Sequence, residues 1–238
     1  MVRSLVAGYE GGAIAVGGVD LELCPGELVA VGGLNGAGKT TLLRCIAGSL
    51  RGNGPQVLRG HIVFDGRDIT RLPPWARARL GIAFVPDTIK IFPTLTVEEN
   101  LEVPVPCTGS RSEGAAVLDL IYNTFPVLAH RRRILAGYLS GGERQMLAVS
   151  MALLQRPSLL LVDELSLGLA PGLAIELSHK LVRLKEQLGL TVLWVDQFLE
   201  LIAPLSEKWI VMRNGLIAGQ GDGHGFRREE AMELMYGW

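Results

Sequence analysis

The sequence has few cysteines, no Cys/His spacing typical of a metal site and no pattern of a secretory signal peptide. These absences argue against a disulfide-rich secreted protein and against a zinc-binding domain. Its three cysteines, Cys24, Cys45 and Cys107, form no C-x-x-C pair and lie at no metal-ligand spacing from a histidine. This pattern predicts reduced thiols in a reducing compartment rather than a disulfide framework. Residues 1–9 lack the charged-then-apolar order of a secretory signal.

Long hydrophobic runs and a large net charge are also missing. No apolar run reaches the roughly 20 residues of a membrane-spanning helix, so we expect a soluble chain that acts on membranes only through partners. The formal net charge is −1, which argues against nucleic acid as a partner. The densest basic run, residues 131–133, is typical of a solvated helix edge.

What the sequence does contain is an alternation of short apolar strands and amphipathic helices. Apolar runs predict strands at residues 28–31, 62–64, 82–85, 159–162 and 191–195. Apolar residues at helical spacing predict helices at residues 40–50 and 173–188. Two capping boxes, Thr96 with Glu99 and Ser140 with Glu143, start further helices. Asn214-Gly215 predicts a hairpin between residues 209–212 and 216–218.

This order predicts an α/β fold with a mainly parallel sheet, N-terminal antiparallel strands and a helical lobe. We expect one domain over residues 1–238. Its core would comprise about residues 1–90 and 157–238, and its lobe about residues 91–156.

A glycine-rich loop follows the first predicted parallel strand and fits G-x-x-x-x-G-K-[ST]. Such a loop turns backbone N–H groups toward phosphate oxygens, and the following helix adds its positive dipole end. Lys39 can reach the β- and γ-phosphates, and Thr40 can ligate Mg²⁺. The loop predicts a RecA-like P-loop NTPase core without separating ATPases from GTPases or kinases. The expected nucleotide-binding residues are Gly33, Asn35, Gly36, Ala37, Gly38, Lys39, Thr40 and Thr41.

Two carboxylates, Asp163 and Glu164, end the apolar run at residues 159–162. In a parallel sheet they would emerge at the carboxyl edge, where ligands bind. Asp163 suits a ligand of Mg²⁺, and Glu164 suits the general base for an attacking water. We therefore expect Glu164 and Lys39 to be catalytic.

A second anion site is predicted at the start of the helix that Ser140 caps. Glu143 closes the capping box, and the N–H groups of Gly141 and Gly142 are expected to face outward. Taken alone, this motif also fits an ordinary helix start. Together with the phosphate loop and the acidic strand end, Leu-Ser-Gly-Gly-Glu-Arg-Gln at residues 139–145 closely resembles the signature of ABC ATPases.

The resemblance covers nearly the whole chain and implies ATP and Mg²⁺ as cofactors. In ABC ATPases two domains pair head to tail, so Ser140, Gly141, Gly142 and Glu143 would close over ATP bound by the partner. Tyr9 stands at the position of the aromatic residue that stacks on adenine, although an ordinary core aromatic is the alternative. Asp87 stands at the Q-loop position, which touches Mg²⁺ and the membrane subunit. Gln197 stands at the catalytic switch position.

Asp87, Gln197 and Ala170 further resemble the ATPases of branched-chain amino acid (Liv-type) and urea or amide importers. The resemblance implies a second ATPase subunit, in a heterodimer rather than a homodimer, two transmembrane permeases and, indirectly, a substrate-binding protein. It also implies a cytoplasmic location on the inner face of the cell membrane.

The chain departs from this subgroup at a few positions. Leu165 replaces a proline, Met151 an arginine and Phe198 an asparagine, and Asp87 is one methylene shorter than the usual glutamate. These changes leave the hydrolysis rate open. Two alternatives remain: a regulatory subunit with low turnover, and an ABC ATPase that does not transport, although the latter usually carries two ATPase domains.

Overall fold

The computed structural model describes residues 1–49, 54–88, 91–104 and 111–237. Its strands are β1 (Val2–Gly8), β2 (Ile14–Leu21), β3 (Leu28–Gly32), β4 (Gln56–Phe64), β5 (Arg67–Asp68), β6 (Ile82–Val85), β7 (Leu159–Asp163), β8 (Thr191–Val195), β9 (Lys208–Arg213) and β10 (Leu216–Asp222). Its α-helices are α1 (Lys39–Ala47), α2 (Pro74–Arg79), α3 (Val97–Glu102), α4 (Arg111–Thr124), α5 (Pro126–His130), α6 (Gly141–Leu154), α7 (Pro171–Leu188), α8 (Leu199–Ile202) and α9 (Arg228–Tyr236). Short 3₁₀ turns lie at Ala136–Tyr138 and Ala203–Leu205.

Two sheets organise the described chain and confirm the predicted α/β fold. One has the strand order β10-β9-β3-β8-β7-β6, with β10 antiparallel to β9 and the other neighbours parallel. The other is antiparallel, in the order β2-β1-β4-β5. Because β3 and β7 flank β8, the segments that leave these three strands meet at one edge of the parallel sheet.

Helix α1 lies between the two sheets. Its Leu42, Leu43 and Ile46 are buried in one apolar cluster with residues of both sheets, including Leu5 and Leu161. The opposite face of the parallel sheet carries a second apolar cluster, in which α6 packs with α7 and the strands. Burial on both faces explains why the parallel strands are nearly continuous apolar runs. The division into core and lobe stays a prediction.

The structure adjusts several boundaries that local patterns predicted. Helix α1 ends at Ala47, because Gly48 takes a left-handed conformation, and Leu50 lies outside the described residues. Strand β4 begins at Gln56, well before the predicted residue 62, because its first half pairs with β1. Both capping boxes are formed, and the predicted hairpin joins β9 to β10.

Among the described residues, no helix has both the length and the apolar character to cross a membrane.

A fully buried arginine, Arg77, joins α2 to the end of α1. Its guanidinium donates to the carbonyl oxygens of Cys45 and Ile46, and also to those of Thr70 and Leu72. Burial lowers the pKa of Arg77 to about 10, so the side chain stays charged at neutral pH. A positive charge at a helix C-terminus is favourable, and here it satisfies carbonyls that the helix cannot.

We expect Arg77→Met to lower the free energy of unfolding by about 3 kcal/mol, because it leaves several buried carbonyls unpaired. Arg79→Met is the matched control. Arg79 is exposed and only lies over the Trp75 ring, so its loss should change stability by about 0.5 kcal/mol or less. Urea denaturation of both variants measures the difference. Equal destabilisation would contradict the role of Arg77.

Candidate active site

The phosphate loop leaves β3 at Gly32 and enters α1 at Lys39, as the sequence pattern predicts. Gly38 precedes the helix with φ +99°, and a Cβ there would lie 2.2 Å from the carbonyl oxygen of Ala15. Only glycine satisfies both the conformation and the close approach. Gly36 instead faces open space, where a ligand can meet the backbone.

A cavity of about 270 Å³ opens over this loop. The predicted residues that line it are Tyr9, Asn35, Gly36, Ala37, Gly38, Lys39, Thr40, Thr41 and Glu164. Gly33 is not among them, and it lies behind the loop against Met212. Ala15, from the second strand of the antiparallel sheet, also lines the cavity, although no local pattern pointed to it. The N-terminal sheet therefore forms one wall of the site.

Lys39 is buried at the base of the cavity, with 4% of its surface exposed. Its Nζ donates to the carbonyl oxygens of Gly33 at 2.7 Å and Leu34 at 3.3 Å. Burial lowers the pKa of Lys39, while the nearby charges of Glu164, Asp163 and Asp196 act against that shift. Phosphate oxygens in the cavity would add further negative charge and favour the ammonium form.

Asp163 ends β7 beside the first turn of α1. Thr40 Oγ1 donates to its Oδ1 at 3.2 Å, whereas Oδ2 is buried without a hydrogen-bond partner. Burial, reinforced by the charge of Asp87, raises the pKa of Asp163 to about 7. A cation at Oδ2 would satisfy the orphaned oxygen and favour the carboxylate.

A hydroxyl and a carboxylate are donors that suit Mg²⁺, which usually binds through one or two carboxylates plus phosphate oxygens. No group of three or more His, Cys, Asp or Glu residues could hold a metal in the described chain. Thr40 and Asp163 therefore fit a Mg²⁺ that a nucleotide helps to bind.

Glu164 directs its carboxylate to the same cavity, 3.9 Å from Nζ of Lys39. Its backbone has φ +46°, which is rare for a residue with a side chain, and its N–H donates to Val195 at 2.8 Å. Strained residues of this kind persist where the surrounding structure holds them, often at functional sites. Glu164 is thus held with its carboxylate at the cavity, and its role as the general base stays a prediction.

The signature motif begins α6 and lies apart from this cavity. Ser140 and Glu143 form the capping box, and Arg131 pairs with Glu143 at 3.1 Å. The two glycines differ in burial, and the expectation that their N–H groups face outward stays a prediction. Gly141 is exposed, but Gly142 is buried, and a Cβ there would lie 2.3 Å from Leu173. The second glycine therefore leaves room for the Leu173 side chain of α7 at the start of α6.

Comparisons with known proteins agree with this geometry. The profile of the family described as ABC transporter matches residues 16–166. The probable branched-chain amino acid transport ATP-binding protein LivF of Archaeoglobus fulgidus is 35% identical over 217 residues, 91% of this chain and 89% of that protein. The chain belongs to the ABC transporter family.

Further relatives support the same assignment. The high-affinity branched-chain amino acid transport ATP-binding protein BraG of Pseudomonas aeruginosa is 38% identical over 212 residues, 89% of this chain and 88% of that protein. The structure of a nucleotide-free ATP-binding cassette from an ABC transporter matches with a TM-score of 0.81 and 27% identity, over 100% of this chain and 94% of that one. As an ATP-binding subunit of the ABC transporter family, the chain is an ATPase.

Three further predicted site residues, Tyr9, Asp87 and Gln197, occupy different positions relative to the cavity. The hydroxyl of Tyr9 is 3.1 Å from Thr41 Oγ1, so its ring borders the loop, and stacking on adenine stays a prediction. Asp87 lies 3.7 Å from Arg44 and lines a neighbouring cavity instead. Gln197 is exposed after β8 and does not line the phosphate cavity. The roles of Asp87 in metal binding and Gln197 in catalysis stay predictions.

Sequence reasoning missed Asp196, which follows β8 between the loop and Asp163. Its buried carboxylate accepts hydrogen bonds from the N–H and hydroxyl of Ser166 and from the N–H of Phe198. It thereby ties the segment after Glu164 to the segment that carries Gln197. An acidic residue directly after a parallel strand was the available signal.

Proposed function

We propose that this ABC ATPase powers an importer for branched-chain or other hydrophobic amino acids, or for small amides such as urea. The observation that carries the motor role is that Lys39, Thr40 and Glu164 line one cavity, while Asp163 lies directly behind it in hydrogen-bond contact with Thr40. The solute class is supported by the names of the relatives LivF and BraG, which refer to branched-chain amino acid transport.

Each residue around the cavity has a distinct part in this proposal. The amides of the loop and Lys39 bind phosphate oxygens and stabilise the charge that develops on them. Thr40 and Asp163 hold Mg²⁺, which supplies positive charge to the phosphate oxygens when it is bound. Glu164 orients the attacking water and takes its proton.

The separation of the signature from the phosphate cavity supports a head-to-tail dimer. Ser140 and Glu143 border a different cavity from Lys39, so a single chain does not bring the two together. The signature of a sister ATPase would close over the ATP bound at Lys39. In the same way, Ser140, Gly141, Gly142 and Glu143 of this chain would close over the ATP bound by the sister. Two permeases and, indirectly, a substrate-binding protein would complete an assembly in which this chain lies on the inner face of the cell membrane.

A regulatory subunit with low turnover is the second candidate, because the chain departs from its subgroup at Leu165 and Met151. Both side chains are buried in the apolar cluster behind the parallel sheet, at 1% and 9% exposure. Neither lines the phosphate cavity, so they could affect hydrolysis only indirectly, by changing how the apolar cluster packs behind the sheet. ATP turnover of the chain, alone and with its sister subunit, distinguishes motor from regulator.

The Q-loop region should contact a permease if the transport proposal is right. Asp87 lines a cavity of about 490 Å³ together with Ile91, Pro93 and Arg144, and Thr88 is exposed beside it. We expect the contact to involve Asp87 and residues 89–95, of which Ile89 and Lys90 lie outside the described residues. The position at the junction of the parallel sheet and the helical segment suits a coupling surface.

Thr88→Cys, in a background where Cys24 and Cys107 are serine, is expected to crosslink to a copurified membrane protein. Cys45 can stay, because burial raises the pKa of its thiol to about 12 and suppresses its reactivity. His179→Cys, exposed on α7, is the control and should give no such product. Crosslinks from residue 88 to soluble proteins only would count against a transporter.

A further inference from the structure

The turn between β9 and β10 contacts the phosphate loop from behind, although it lies far from the loop in sequence. The N–H of Gly215 donates to the carbonyl oxygen of Ala37 at 3.0 Å. On its other side, the carbonyl oxygen of Gly215 accepts from the N–H of Gly17 at 2.8 Å. One residue of this turn therefore joins the loop to β2, whose Ala15 also lines the cavity.

The bond from Gly215 determines the orientation of one peptide group in the loop. The carbonyl of Ala37 and the N–H of Gly38 belong to the same planar trans peptide, so they point in opposite directions. Holding that carbonyl against the turn directs the N–H of Gly38 away from it. Gly38 lines the phosphate cavity and Gly215 does not, which is consistent with an N–H of Gly38 that points to the cavity side.

The backbone at Gly215 leaves no room for a side chain. Its φ is +79°, and a Cβ would lie 2.8 Å from the carbonyl oxygen of Ala15 and 3.3 Å from the nitrogen of Gly17. Both neighbours are backbone atoms, so a methyl group could be accommodated only by separating the turn from β2 or from the loop. Either movement would disturb the cavity that the two segments enclose.

We propose that Gly215 is a positioning residue of the ATP site, which orients the peptide between Ala37 and Gly38 and holds β2 against the loop. The inference rests on the binding of ATP at residues 33–40. Gly215 touches no substrate in this proposal and acts through the loop backbone.

Gly215→Ala is expected to weaken the binding of ATP and ADP by roughly tenfold, because the displaced loop would bind phosphate oxygens less well and each tenfold corresponds to only about 1.4 kcal/mol. In turnover assays KM should rise more than kcat falls. Gly189→Ala is the matched control, because Gly189 also has a positive φ, +64°, but an added Cβ there would meet no heavy atom within 4 Å. It should lose stability without losing nucleotide affinity.

A second variant separates contact from backbone strain. Asparagine tolerates a left-handed backbone, so Gly215→Asn relieves much of the strain but keeps the clash with Ala15. We expect it to bind ATP as weakly as Gly215→Ala. Wild-type affinity in the folded Gly215→Asn or Gly215→Ala protein would overturn the proposal, and so would an equal loss in Gly189→Ala.

Hydrogen exchange of the nucleotide-free protein tests the same idea without ATP. Gly215→Ala should speed amide exchange in the peptide that covers residues 37–43, where the N–H of Leu42 normally bonds to Gly38 at 2.9 Å. Unchanged exchange there would overturn the proposal. If the wild-type chain failed to bind ATP, the proposed function would fall, while the exchange comparison would still decide whether Gly215 positions the loop.

Discussion

Replacing Glu164 with glutamine is expected to slow ATP hydrolysis by roughly 10²- to 10⁴-fold, the usual contribution of a general base. Glutamine keeps the size of the side chain but cannot take a proton from water. Binding should survive, because Lys39 and the loop amides are untouched. Unhydrolysed ATP would then persist between Lys39 and the partner's signature, and would stabilise the closed dimer that contacts it best.

Turnover and sedimentation in ATP and Mg²⁺ measure both effects, with the sister subunit included if the chain requires it. Glu186→Gln is the control, because Glu186 is an exposed carboxylate on α7, outside the cavity lining. Turnover near the wild-type rate in Glu164→Gln would remove this residue from its assigned role. Slow turnover in the wild type would instead favour the regulatory subunit.

Replacing Lys39 with alanine should abolish tight ATP binding. Among the described residues that line the cavity, Lys39 is the one with a cationic side chain. Its buried ammonium donates hydrogen bonds to the carbonyl oxygens of Gly33 and Leu34. Ligands that bind only the folded state stabilise it, by about 2.7 kcal/mol at a concentration 100 times Kd. The variant should therefore lose the rise in Tm that Mg²⁺ and ATP give the wild type.

Lys208→Ala provides the comparison for this experiment. Lys208 lies on β9 beside Val29, at the end of the sheet opposite the phosphate loop. Its loss should leave the ATP-induced shift in Tm intact. A binding titration with Mg²⁺ and ATP completes the test, and unchanged affinity in Lys39→Ala would mean that residues 33–40 do not bind the nucleotide.

Local patterns were sufficient for the parts of this site that neighbouring residues build. The phosphate loop, the strand that ends at Asp163 and the capping box of Ser140 and Glu143 all lie where the sequence predicts them. Each is specified within a few residues, by glycine conformations, apolar runs or side-chain bonds to the adjacent backbone. The family resemblance, confirmed by the comparisons, followed from the order of these same local motifs.

Packing between distant segments decided the rest. Ala15 entered the cavity wall because β2 packs beside the loop, and Asp196 became a buried acceptor because β8 lies between β3 and β7. Gly142 is buried because α6 packs on Leu173. No local pattern carries such information, since each contact depends on how separate elements are placed in space.

Arg77 and Gly215 illustrate the same division. Asn214-Gly215 predicts a turn because both residues tolerate a positive φ, and the turn is present. Its contact with Ala37, however, joins the turn between β9 and β10 to the loop that follows β3, and these two segments are far apart in sequence. Likewise, the phosphate loop at the N-terminus of α1 is recognisable from its own residues. The arginine that satisfies the C-terminal carbonyls of α1, however, comes from α2. The sequence by itself determined which residues can bind phosphate and where the chain turns. Tertiary packing decided which distant residues support the loop and the helix, because such hydrogen-bond partners meet only when the sheets and helices come together.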